Sequence, residues 1–166
     1  EGALQLVIGG TGDLLDRLGP QDIVTFTGSA DTALRLRANA NLLAQGVPFN
    51  AEADSLNCAV LGDDVSPDDA EFDLFIKEVA REMTVKAGQK CTAIRRTLVP
   101  RRHLDAVAER LAKRLAGVKV GDPAVEGVRM GALASHAQMH DVAERVAQLR
   151  QSAELVCGGD AHFSLV

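Results

Sequence analysis

Cys91 stands in the stretch AGQKCTAIRR, Ala87 to Arg96, just past a glycine and among the cations Lys90, Arg95 and Arg96. Nearby positive charge favours thiolate over thiol, and the thiolate is the form that attacks an electrophilic carbon. The same neighbours also suit a structural cysteine beside a basic surface, so local chemistry leaves both readings open. Cys58 in LNCAVLG and Cys157 in ELVCGG lie inside apolar runs and are expected to be small buried hydrophobes. His136 and His140 stand at the four-residue spacing of a helical metal pair. No third ligand lies near them in the sequence, so they read as surface residues and no metal site is expected.

The elements that must position Cys91 alternate between strand and helix signals. Leu4–Ile8 and Asp22–Phe26 are short apolar runs closed by glycine and are predicted as buried strands. Ser29 is a good N-cap for a helix over Ala30–Ala44, which stops near Gly46 and Pro48. Val47–Ala51 and Leu56–Leu61 follow as strands. From Glu71 to about Lys86, Phe72, Phe75, Ile76, Val79 and Met83 recur at three- and four-residue steps, so one helix face packs on a core and Gly88 ends the helix. Ile94–Val99 reads as a strand ended by Pro100. Leu104, Val107, Leu111 and Leu115 mark a further amphipathic helix, and Met139, Val142, Val146 and Leu149 another, with a turn at Gly121-Asp122-Pro123 between them. Leu155–Cys157 begins a further strand. Such alternation predicts an α/β protein with a largely parallel, helix-covered sheet. Gly9, Gly10 and Gly12 in IGGTGDLL lack the third glycine of a dinucleotide fingerprint and read as a tight turn.

Composition excludes several classes. With 166 residues, 46% of them hydrophobic, the chain has the size and apolar content of a domain with a core. Its net charge of −5, with acids and bases interspersed, provides no basic stripe for nucleic acid or an anionic membrane. No apolar run approaches a bilayer span, and a cytoplasmic protein is expected. Three cysteines in no paired spacing argue against a disulfide framework. The opening EGALQLVIGG starts directly on a predicted strand and the closing GGDAHFSLV barely begins an apolar run, so the chain is expected to be a segment of a longer protein.

VTFTGSA (Val24 to Ala30), the acidic segment holding Glu52, GQKCT, VGDP and MGAL occur in the order and approximate spacing of the aldehyde dehydrogenase superfamily, which the chain resembles from about Leu4 to Gly159. The strings FNAEADSLNCAVLGDDVSPD and EVAREMTVKAGQKCTAIRR resemble more particularly the subgroup found in bifunctional phenylacetate-degradation proteins. There the dehydrogenase is joined to a hotdog-fold enoyl-CoA-hydratase-like domain that opens the oxepin ring of a CoA thioester.

The resemblance implies a three-layer αβα fold, partial in this chain. Residues 1–54 correspond to the C-terminal part of a Rossmann-like cofactor-binding domain, and 55–166 to the N-terminal part of a catalytic domain. It makes Cys91 the nucleophile: its thiolate adds to an aldehyde, and the thiohemiacetal gives a hydride to the nicotinamide and becomes a thioester. Glu52 then activates the hydrolytic water. Burial at the mouth of an apolar strand pair is expected to raise the Glu52 pKa toward that of a useful base. The family's usual Glu-Leu-Gly-Gly is Glu52-Ala53-Asp54-Ser55 here; alignment on Ser55-Leu56-Asn57 instead puts Asn50 in the base position, but Asn takes no proton. The backbone N–H of Cys91 is implied as one oxyanion donor, the other being a side-chain amide from an upstream segment. Gly28 and Ser29 match the cofactor motif, in which the helix N-terminus and the Ser29 hydroxyl meet a pyrophosphate; a plain helix cap is the alternative.

The implied cofactor is NADP, or NAD, and the implied substrate a CoA-linked semialdehyde, whose anionic part Lys90, Arg95 and Arg96 are placed to steer. The parent is expected to be a homo-oligomer, with the enoyl-CoA-hydratase-like domain as a candidate fusion partner, and the isolated segment is expected to be inactive. Two alternatives stand beside this reading: a non-catalytic or thiol-redox α/β module, and a dehydrogenase that releases its thioester to CoA, against which Glu52 speaks.

Overall fold

Val24–Gly28 (β1) and Phe49–Ala53 (β2) pair in parallel, with Val24 opposite Phe49 and Gly28 opposite Ala53. A parallel pair needs a crossover between its strands, and helices α1 (Ala30–Arg37) and α2 (Ala40–Gln45) supply it. The computed structural model describes residues 2–159; residues 160–166, where the sequence begins its last apolar run, lie outside them. The chain divides into two compact units, Glu1–Asp54 and Ser55–Val166.

In the first unit the single predicted helix over Ala30–Ala44 is two. Asn39 Oδ1 accepts the N–H groups of Asn41 and Leu42 at 2.9 and 3.1 Å, which starts a new helix instead of continuing the old one. Gly46, at φ 64°, closes it in the left-handed conformation that glycine adopts without cost. Asn41 Nδ2 donates to the carbonyls of Leu15 and Leu18, both at 2.8 Å, and ties the short 3₁₀ turn Leu14–Arg17 to α2. Ala33, Leu42 and Val47 form the buried interior. The predicted strand Leu4–Ile8 is absent: these residues have no strand structure, and Leu4 is 94% and Ile8 91% exposed. Apolar β-formers make a strand only when a second strand satisfies their N–H and C=O groups, and among the described residues none does.

The second unit repeats the parallel arrangement. Cys58–Val60 (β3) pairs with Arg96–Leu98 (β4), Cys58 opposite Arg96. Between them runs α3 (Ala70–Thr84), and after β4 comes α4 (Leu104–Ala116). Most of the apolar stripe of α3 is where its spacing places it: Phe72, Ile76 and Val79 are buried, though Met83 in the last turn is 42% exposed, and Leu61, Phe72, Ile76 and Val107 form one core cluster. Phe72 is fully buried, its ring meeting the edge of His103 at 6.0 Å, with the Arg110 guanidinium 4.9 Å from its centroid. Helix α5 (His136–Leu149) forms as predicted, with Ser135 Oγ accepting the N–H of Gln138.

Its apolar stripe, however, is mostly open among the described residues: Val146 is half-buried, whereas Met139 is 44% and Leu149 63% exposed. Leu155–Cys157 has no strand structure either, again with no ladder partner among the described residues. Cys58 and Cys157 are both exposed rather than buried. In a two-stranded sheet only one face is covered, and Cys58 shares the open face with Val60 while Ala59 turns inward. Among the described residues no helix is long and apolar enough to cross a membrane, and no cluster of His, Cys, Asp or Glu is placed to hold a metal.

Candidate active site

Cys91 lies on the segment between α3 and β4, and the path of the chain into it is unusual. Lys86, Ala87 and Gly88 have φ of 54°, 53° and 70°, three successive left-handed residues of which two carry a Cβ. Each such non-glycine residue costs about 1–2 kcal/mol, so the turn persists because its surroundings hold it. Gln89 caps it twice, donating from its backbone N–H and from Nε2 to the Lys86 carbonyl at 3.0 and 3.1 Å. Gln89 Oε1 accepts the N–H of Ala134 at 2.8 Å. Gly88 is required twice over: its φ is left-handed, and an added Cβ would lie 3.3 Å from the Met83 carbonyl oxygen.

Two of the cations beside the thiol, Lys90 and Arg95, have structural partners. Lys90 Nζ pairs with Glu82 Oε2 at 2.7 Å, both side chains about four-fifths buried. Arg95 Nη2 donates to the carbonyls of Gly88 and Lys90 at 3.0 and 3.4 Å. Two of the three cations expected to attend the thiol are thus also engaged in holding the loop. Lys90 is compensated by a carboxylate, and Arg95 braces the loop. Cys91 itself is exposed, whereas Ala93, two residues on, is 1% exposed and pins the loop to the interior.

Asn57, which sequence reasoning passed over, reaches this loop from the residue before β3. Its Nδ2 donates to the Cys91 carbonyl, and its own carbonyl accepts the N–H groups of Arg95 and Arg96 at 2.9 and 3.3 Å. Only the parallel register of β3 and β4 brings these residues together, and no local pattern signals it.

The other candidates gather at the C-terminal end of the β1–β2 pair. Thr27 lies opposite Glu52 and Gly28 opposite Ala53. Ser29 caps α1, its Oγ accepting the N–H of Thr32 at 3.2 Å. Gly28 has a steric reason: an added Cβ would fall 2.5 Å from the Phe26 ring. Glu52 is exposed on β2 rather than buried at the mouth of an apolar strand pair. Asp54 is the residue that the motif reading overlooked. At φ 55° it occupies the left-handed conformation, donates its N–H to the Gly28 carbonyl at 3.1 Å, and accepts the N–H of Ala30 on Oδ1 at 3.2 Å. A carboxylate thus sits on the N-terminus of α1, where the helix dipole favours negative charge.

A cavity of about 390 Å³ opens beside α1, with Thr11 and Gly12 across from Thr32 and Arg35. A larger groove of about 640 Å³ between α3 and α4, lined by Asp73, Lys77 and Arg110, contains none of the predicted residues. Helix α5 carries His136 and His140 on its exposed surface.

Comparison with known proteins gives a consistent answer. The aldehyde dehydrogenase family model matches residues 1–165. A 3,4-dehydroadipyl-CoA semialdehyde dehydrogenase from Aromatoleum evansii is 53% identical over 165 residues, 99% of this chain and 32% of that protein. A 3-succinoylsemialdehyde-pyridine dehydrogenase from a Pseudomonas species is 33% identical over 83% of the chain and 28% of that protein. The chain thus spans about a third, or less, of the length of these relatives. Among solved structures, aldehyde dehydrogenase C of Pseudomonas syringae, complexed with NAD+ and octanal, matches with TM-score 0.71 at 27% identity over 86% of this chain and 28% of that one. Betaine aldehyde dehydrogenase of Staphylococcus aureus in complex with NAD+ matches with TM-score 0.75 at 23% identity, over 86% of this chain and 27% of that one, and shares the α/β fold.

Proposed function

Because the chain belongs to the aldehyde dehydrogenase family, we propose that it carries the nucleophile and the general base of an NAD(P)-dependent dehydrogenase that oxidises a CoA-linked semialdehyde of aromatic catabolism to the acid. The observation that carries the substrate class is the 53% identity, over nearly the whole chain, to the 3,4-dehydroadipyl-CoA semialdehyde dehydrogenase.

In this reading Cys91 Sγ, as thiolate, bonds to the aldehyde carbon and the carbonyl electron pair moves onto oxygen. The Cys91 backbone N–H is one donor to that oxyanion. The bound nicotinamide dinucleotide supplies the hydride acceptor. Loss of hydride from the Cys91 adduct leaves a thioester on Sγ, and two electrons have left the substrate. Glu52 takes a proton from water, the hydroxide adds to the thioester carbon, and the C–S bond breaks to give the carboxylic acid and free thiolate.

Residues 1–54 then belong to the cofactor-binding domain and 55–166 to the catalytic domain. Gly28 and Ser29 would hold the cofactor pyrophosphate at the start of α1. The local structure fits an anion there: α1 is capped by Ser29, and the Asp54 carboxylate already sits on the N–H of Ala30. NADP is the proposed dinucleotide by subgroup resemblance, in a cytoplasmic homo-oligomer joined to an enoyl-CoA-hydratase-like domain.

The test is reduction of NADP+ and NAD+ by the full-length protein with 3,4-dehydroadipyl-CoA semialdehyde. Cys91→Ala should remove turnover by about a thousandfold or more. Glu52→Gln should retain a first-turnover burst of reduced cofactor but lose the steady state. Undiminished turnover in Cys91→Ala would sink the proposal, and turnover that needs free CoA and ignores Glu52→Gln would favour the acylating alternative.

A further inference from the structure

We propose that Asn57 is the positioning residue of the Cys91 nucleophile, an inference that rests on the role given to Cys91 above. Three hydrogen bonds converge on this one side chain and its own carbonyl: Nδ2 to the Cys91 carbonyl, and the N–H groups of Arg95 and Arg96 to the Asn57 carbonyl at 2.9 and 3.3 Å. Both ends of the segment Cys91–Arg96 are therefore tied to a single residue. Asn57 is itself fixed, because the next residue, Cys58, enters β3 opposite Arg96.

The Cys91 carbonyl belongs to the peptide that joins Cys91 to Thr92. A hydrogen bond to it fixes ψ of Cys91, and with the chain held before it by Gln89 and the Lys90–Glu82 pair, it fixes where the Cα–Cβ bond points. The thiol side chain is exposed. The direction of Sγ toward a bound aldehyde thus depends on the backbone, and the backbone depends on Asn57. The amide does this without charge. A carboxylate of the same shape would turn an acceptor oxygen toward the Cys91 carbonyl, with no proton to share near neutral pH.

That distinction supplies the test. Asn57→Asp and Asn57→Ala are made in the full-length protein and assayed with 3,4-dehydroadipyl-CoA semialdehyde and NADP+, or NAD+ if that is the cofactor used. The kcat should fall by about ten- to a hundredfold, with KM for the dinucleotide and the melting temperature close to wild type. Alkylation of Cys91 by iodoacetamide, a small reagent that approaches from any direction, should stay within about twofold of wild type, with exposed Cys58 and Cys157 as internal controls. Wild-type kcat in both variants overturns the proposal. So does a fall in kcat matched by equal losses in dinucleotide binding or Cys91 alkylation, which marks a general structural role. If the charged variant does not fold, Asn57→Ala decides by the same measurements. Cys91→Ala, run alongside, separates the two ideas: full turnover there removes the nucleophile reading itself, whereas an inactive Cys91→Ala beside a fully active Asn57→Asp removes only the positioning role.

Discussion

Lys90 Nζ and Glu82 Oε2 lie 2.7 Å apart with side chains 20% and 19% exposed, an ion pair that joins the residue next to Cys91 to the last turn of α3. Removing one partner of a largely buried pair leaves the other charge desolvated and uncompensated. Glu82→Ala should therefore destabilise the protein by about 1–3 kcal/mol, less than a fully buried pair would lose because a fifth of each side chain remains in water. Replacing both partners with apolar residues, Glu82→Leu with Lys90→Met, should recover most of that loss. Denaturant unfolding of the single and double variants measures it, and a double variant no better than Glu82→Ala would contradict the compensated-pair account.

The left-handed turn makes opposite predictions at neighbouring positions. Ala87, at φ 53°, has a Cβ where none is favoured, so Ala87→Gly relieves strain of about 1–2 kcal/mol while adding about 0.5–1 kcal/mol of unfolded-state entropy. A net gain of about 0.5 kcal/mol is expected. Gly88→Ala adds a Cβ at φ 70°, 3.3 Å from a backbone oxygen, and should lose about 1–2 kcal/mol or more. Equal effects of the two substitutions would refute the assignment of the turn.

Asp54 combines a cost and a gain in one residue. Asp54→Ala keeps the left-handed conformation and loses the bond to Ala30 N–H, so about 1 kcal/mol of stability should go. Asp54→Gly loses the same bond but also the strain, and should fall within about 0.5 kcal/mol of wild type. In the full-length protein either change also uncovers the α1 N-terminus and should tighten dinucleotide binding about two- to fivefold, read by fluorescence titration.

What the sequence made legible was periodic or local. The buried stripe of α3, the Ser29 cap and the parallel strand pairs follow from spacing and turn chemistry, as does the placing of Cys91 on a loop after a glycine. What escaped was set by other parts of the chain. The strands at Leu4–Ile8 and Leu155–Cys157 find no ladder partner among the described residues, and Cys58 is exposed because its sheet has one open face. Lys90 looked available to the thiol because its partner, Glu82, is eight positions upstream on a helix. Asn57 and Asp54 carry no motif of their own: one acts through strand register, the other through a φ angle that the family's glycine at that position would have announced.

Asp54 is the last residue hydrogen-bonded to β1's end, through the Gly28 carbonyl, and Asn57 the first bonded to the start of β4. Only Ser55 and Leu56 lie between these two moorings, and Leu56 is 68% exposed. Leu56 is therefore open to wide substitution, and because β1 pairs with β2 and β3 with β4 each on its own side of this link, a residue inserted here leaves both strand registers as they are.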